Sequence, residues 1–236
     1  MDSTLQCLLT FGLTCFAPAA GVEPTVLALA PAPAQTPADA PASLFLARVQ
    51  AFYDGTTDLS ADFTQTYVHP VYGTKSVTKG KLKVRKPGMM IWDYDKAEDP
   101  DFYADGATLW VVERDTQQVV RQKVDGSDFA GAVAFLFGGR KLIDEFKVRH
   151  APKPLVERYG RAGHRLLELK PRAAEPSYKG LLLLVAPESG EVVSFVVRNG
   201  DDSINVFDLG KVKRNPGLAK ELFAFKVPKG FSVIDE

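Results

Sequence analysis

Three histidines, a cluster of five acids and a run of four bases are the groups in this sequence best placed to do chemistry. His69, His150 and His164 are scattered at the ends of strand-like stretches, and no His-x-x-x-His spacing occurs. Each therefore reads as an edge or surface histidine rather than a metal ligand or a triad member. Asp93, Asp95, Glu98, Asp99 and Asp101 crowd one hairpin region. Hydrolysis would need two of them to converge as a carboxylate pair; the plainer reading is a solvated turn. Lys79, Lys81, Lys83 and Arg85 alternate along one stretch, which places them together on the outward face of a strand. No glycine-rich phosphate loop follows a strand, and no Cys-x-x-Cys is present. The two cysteines, Cys7 and Cys15, exclude a disulfide scaffold and a cysteine-based zinc site. These residues assign no catalytic group, no metal and no cofactor.

The apolar residues are more informative. Leu44, Phe45, Leu46, Val49, Phe52 and Tyr53 recur at helical spacing, with Ser43 as N-cap and Gly55 past the end. From Leu59 the period changes to two, and residues 59–67 read as a half-buried strand. Further strands are expected at 73–86, 89–95, 101–105, 107–113 and 117–124. Lys86-Pro87-Gly88, Asp99-Pro100 and Asp105-Gly106 separate them. Residues 127–138 read as a second helix, apolar nearly all round, and 141–145 as a short helical turn. Strands resume at 146–150, 163–170, 179–186, 190–199 and 202–213, with turns at Gly190 and at Asn199-Gly200-Asp201. A short helix at 217–222 and a last strand at 223–227 complete the pattern. The expected fold is mainly β: an incomplete antiparallel β-barrel, or curved sheet, of 10–11 strands in meander order with helices over one opening.

The 236 residues suit one domain, and 29 basic against 29 acidic side chains give no net charge and no footprint for nucleic acid. Residues 1–41 hold only acidic charges, Asp2, Glu23 and Asp39. Within them, residues 1–20 resemble a signal peptide, with an apolar stretch from Leu5 to Phe16 and Ala17-Pro18-Ala19 after it, but with Asp2 where a basic n-region belongs. Residues 21–42 form an Ala/Pro-rich linker without a periodic apolar face. The folded domain is expected to span 43–236. Fifteen Phe, seven Tyr and two Trp raise the question whether the inner face of the sheet fills itself or encloses a ligand. By strand parity and the character of the second helix, Phe63, Leu82, Val84, Trp92, Leu109, Phe135 and Leu136 are the candidates to line such a space.

Four short motifs resemble those of the LolA family of periplasmic outer-membrane lipoprotein carriers. Gly80 to Tyr94 is similar to the family's G-x-L-x-x-x-[RK]-P-x-x-x-x-W stretch. Phe63-Thr64-Gln65 is similar to its Phe-x-Gln, Asp105 to Trp110 to its D-G-x-x-L-W hairpin, and Phe223 to Gly230 to its F-x-F-x-x-P-x-G. The matches fall in the family's order across residues 43–236. The resemblance implies a hydrophobic cavity under a helical lid that takes up lipoprotein acyl chains, in the periplasm of a Gram-negative cell. It also implies an ATP-driven lipoprotein-release transporter in the inner membrane and an acceptor in the outer membrane as partners, with a monomeric protein and no nucleic acid. In the family a basic side chain at the [RK]-P position bonds the lid and keeps it closed when empty; that position here is Lys86, where Arg would offer a bidentate fork. On strand parity Lys86 faces inward with Leu82 and Val84, where a lysine must be hydrogen-bonded or snorkel to water.

Three other functions fit parts of the pattern. An outer-membrane acceptor of the LolB type would need a lipidated Cys15, and Gly12-Leu13-Thr14 is a poor cleavage box for one. A lipid-sensing envelope-stress regulator of the same fold would ordinarily carry a second domain. An unrelated barrel enzyme would need a catalytic constellation that the residues do not supply.

Overall fold

The computed structural model describes residues 40–124 and 141–235. Twelve strands form one sheet in the order β12-β6-β5-β4-β3-β2-β1-β11-β10-β9-β8-β7, with β12 and β7 as its two edges, so the sheet does not close into a barrel. The first half is a meander of β1 (Asp58–Val68), β2 (Lys75–Arg85), β3 (Met89–Tyr94), β4 (Asp101–Asp105), β5 (Thr108–Glu113) and β6 (Gln118–Lys123). The second half is a meander of β7 (Phe146–His150), β8 (Arg165–Pro171), β9 (Tyr178–Val185), β10 (Val192–Asn199) and β11 (Ile204–Arg214). The halves join where β1 pairs antiparallel with β11.

Helix α1 (Ala42–Asp54) covers the inner face of this sheet. Its buried residues, Ala42, Phe45, Leu46, Val49 and Tyr53, form one stripe, and they pack with alternate residues of nearly every strand. The helix begins two residues earlier than its sequence suggests. Pro41, with φ −64° and ψ 147°, is the N-cap, and Ser43 lies inside the first turn without a capping bond.

Strands β8, β9 and β10 are buried on both faces, which explains runs such as Leu181-Leu182-Leu183-Leu184-Val185. Leu181, Leu183 and Val185 join the inner core, whereas Leu182 and Leu184 join an outer cluster with Leu166 and Val196. Helix α3 (Lys153–Tyr159) packs Leu155 and Tyr159 on that outer cluster. The sequence pattern did not suggest this helix, although Pro152, Pro154 and Gly160 bracket it as a proline-started turn. The short α2 (Leu142–Glu145) is present as expected, immediately before β7.

The C-terminal segment corrects the expectation in two respects. Residues 223–227 are not a strand; a 3₁₀ turn at Lys220–Phe223 precedes an irregular stretch. Phe223 packs with Met89 and Ile91 on the outer face, and Phe225 lies 4.9 Å from the Tyr103 ring and 5.3 Å from the Trp110 ring. The alternation that reads as a strand is therefore two aromatic anchors on the outside of the sheet. The last strand among the described residues is instead β12 (Ser232–Asp235), which pairs parallel with β6, so the described sheet has twelve strands and is not wholly antiparallel.

Candidate functional site

The inner face is an aromatic and aliphatic surface laid down by strand parity. Phe63 of β1 lies 5.0 Å from Trp92 of β3 and 5.0 Å from Tyr94, ring centre to ring centre. Trp92 lies 5.2 Å from Phe207 of β11, which stacks on Phe195 of β10 at 4.7 Å. Leu82 and Val84 of β2 and Leu109 of β5 extend this surface. Phe63, Leu82, Val84, Trp92 and Leu109 are each no more than 3% exposed and belong to one cluster with α1. The structure thus brings together five of the seven cavity candidates. Phe135 and Leu136 lie outside the described residues, as do the expected helix at 127–138, the signal-like segment and nearly all of the linker.

The cover is fastened at its middle and at its C-terminal end. At the middle of the helix, Arg48 donates from Nη1 to the Pro187 carbonyl at 2.5 Å, in the β9–β10 turn. Gly190 in that turn has φ +80°, and a Cβ there would sit 2.2 Å from the Arg48 carbonyl oxygen, so only glycine lets the helix backbone lie this close. At the C-terminal end, Lys86 donates from Nζ to the Tyr53 carbonyl in the last turn of α1. Strand β2 ends at Arg85, so Lys86 opens the turn into β3 rather than ending a strand, but its amine reaches the helix all the same. Burial pulls the Lys86 ammonium below the usual lysine range; Asp54 opposes that and neighbouring Arg214 adds to it. Two cationic side chains therefore meet the negative end of the helix dipole.

Arg214 is a contact that motif reading did not find. Its Nε donates to Thr56 Oγ1 at 2.9 Å, and its guanidinium carbon stands 4.7 Å from the Phe52 ring centre. Asn215 beside it accepts from the Thr57 N–H at 2.8 Å and donates from Nδ2 to the Gly55 carbonyl at 3.2 Å. Nothing local in the sequence marks these two, because their partners lie about 160 residues away.

The acidic cluster resolves differently from a solvated turn at one position. Asp101 is buried, accepts from the Tyr94 N–H at 2.8 Å, and pairs with Arg114 Nε at 3.0 Å. Burial raises its pKa to about 6, against the Tyr94 N–H and Arg114, which favour the charged form. Arg114 also donates to the carbonyls of Tyr94 at 2.6 Å and Lys96 at 2.5 Å, so the pair pins the β3–β4 connection. Asp95 and Glu98 are exposed. Among the described residues no group of histidines, cysteines and acids could hold a metal ion.

Residues 54–226 match the family described as outer membrane lipoprotein carrier protein LolA. The chain belongs to the LolA family. An outer-membrane lipoprotein carrier protein of Cupriavidus necator is 30% identical over 205 residues, covering 86% of this chain and 92% of that one. The carrier protein of Chromobacterium violaceum is 29% identical over 189 residues, covering 80% and 86%. A LolA superfamily protein from Nitrosomonas europaea, solved by crystallography, is 13% identical, with a TM-score of 0.43 over 79% of this chain and 98% of that one. The family match includes β1 to β11 and the turn that carries Lys86, and it begins at the C-terminal end of α1.

Proposed function

We propose that this LolA-family chain is a periplasmic carrier that takes up the acyl chains of lipoproteins released from the inner membrane and delivers them to the outer membrane. No covalent step belongs to the reading. The observation that carries it is the Lys86–Tyr53 bond: the apolar region of the sheet's inner face packs with helix α1, and a basic side chain at the family's [RK]-P position holds that helix at its end. The buried side chains of α1 share one cluster with Phe63, Leu82, Val84, Trp92 and Leu109. Acyl chains would compete with Phe45, Leu46, Val49 and Tyr53 for a place in that cluster. The inner-membrane release transporter supplies the energy for loading, and the outer-membrane acceptor receives the cargo.

Native mass spectrometry of the protein purified from a periplasmic extract tests the reading. A co-purifying acylated peptide or lipoprotein is the expected result. Protein that carries no acylated species after co-expression with a lipoprotein and the release transporter would overturn it.

A further inference from the structure

The inner face changes character along β1 and β2 as it leaves Lys86. Gln65 and Tyr67 share the parity of Phe63, and Ser76 and Thr78 share that of Leu82. With Asp99 of the β3–β4 connection, these four line a pocket of about 250 Å³. Tyr94 spans the boundary between the two surfaces. Its ring packs against Phe63, and its hydroxyl donates to Gln65 Oε1 at 2.5 Å. Gln65 Nε2 then donates to Asn205 Oδ1 at 2.7 Å, so the Gln65 amide is held in one orientation.

Two lining atoms are left over. Thr78 Oγ1 and Asp99 Oδ2 are buried, and among the described residues neither has a hydrogen-bond partner. Buried polar atoms without partners are rare and costly. One ordered water would need only roughly 10–15 Å³, far less than this pocket offers. The lining contains one acid and no base, so it suits a ligand that donates hydrogen bonds and disfavours a phosphate.

We propose that this pocket receives the polar head of the acylated ligand. Peptide N–H groups next to the lipid-bearing residue donate to the Asp99 carboxylate and pair with the Thr78 hydroxyl, while the acyl chains lie on Phe63, Trp92 and Phe207. The inference rests on the carrier reading and adds selection: an acylated peptide is preferred over a phospholipid with the same chains.

Displacement of a fluorescent fatty acid is the assay, with three competitors of identical chain length. They are a dipalmitoylated cysteinyl-seryl-serine amide, the same peptide with its backbone nitrogens methylated, and dipalmitoyl phosphatidylglycerol. The native protein is expected to bind the unmethylated peptide about tenfold more tightly than either other competitor. Thr78→Val and Asp99→Ala should each bring that ratio within about twofold and leave the affinity for the methylated peptide unchanged. Thermal melts matching the native protein establish that the variants fold. An unchanged ratio in both folded variants overturns the head pocket and leaves the carrier reading standing. Equal binding of phosphatidylglycerol and the peptide by the native protein overturns the selection. Failure of every acylated competitor to bind the native protein overturns the carrier reading, and this inference with it.

Discussion

Lys86 shows how much one side chain is asked to do. Its bond to the Tyr53 carbonyl requires α1 to be seated, so under the proposed carrier reading a loaded protein would forgo it. A charge-assisted bond of this kind is worth about 1.5–3 kcal/mol when buried, and less at a half-buried site open to solvent. Lys86→Leu should therefore retain cargo more tightly and pass it to acceptor membranes up to about tenfold more slowly, with the fold intact. Lys86→Arg should behave like the native protein. Equal transfer rates for the Leu variant and the native protein would remove Lys86 from the mechanism. Asp101 makes a separate prediction. Its folded pKa of about 6 lies above the unfolded value of about 3.9, so between those values the native state holds more protons. Stability from this group is fully present below about pH 4 and falls as pH rises through about 6. Relative to Asp101→Asn, which keeps an acceptor for the Tyr94 N–H, the native protein should lose about 2–3 kcal/mol between pH 4 and pH 7.5. Urea unfolding of both proteins at the two pH values would show it, and parallel pH profiles would contradict it.

At the scale of elements, strands and hairpins were legible wherever local chemistry decides them. Asp105-Gly106 is a turn because Asp105 Oδ1 accepts from the Ala107 and Thr108 N–H groups at 2.9 and 2.8 Å while Gly106 takes φ +103°. The parity of Phe63, Leu82, Val84, Trp92 and Leu109 was equally visible, since period-two alternation reports which face is dry. Elements whose stability comes from distant partners were not. Helix α3 is seven residues long and owes its place to the outer cluster beneath it. Strand β12 has all four residues exposed and exists because β6 offers an edge, helped by the paired Arg121 and Asp235 side chains. The fastening of α1 combines both kinds: Gly190 was readable as a turn, but not as the place where a helix backbone touches it. Gly190→Ala must push against the Arg48 carbonyl and adopt a left-handed conformation. That should cost about 2–4 kcal/mol and lower the Tm by roughly 5–15 °C. Hydrogen exchange should show the lost protection concentrated in α1. A native-like Tm would mean that the turn yields and α1 is not fixed there.

For the whole molecule the question is how a carrier can hold acyl chains and still release them. Two C16 chains contain about 28 methylenes, and at about 0.8 kcal/mol each their complete burial is worth roughly 20 kcal/mol. A load held that firmly would never leave. The closed structure supplies the opposing term, because the inner face is already covered. Phe45, Leu46, Val49 and Tyr53 are buried on it, and each large side chain forced back into water costs about 1.5–3 kcal/mol. Displacing four of them offsets about 6–12 kcal/mol of the gain, and breaking the Lys86 and Arg48 bonds offsets more. Under the proposed reading α1 would thus compete with cargo for one apolar surface, and that competition would make release possible. The larger competing terms are apolar, so binding should respond little to ionic strength. Affinity for a neutral diacylated peptide should change by less than about threefold between 50 and 500 mM NaCl. It should rise rather than fall in sulfate, which strengthens apolar burial. A steep loss of affinity across that range of salt would show that charges on the ligand, not its chains, carry the binding, and the competition between α1 and cargo would no longer explain release.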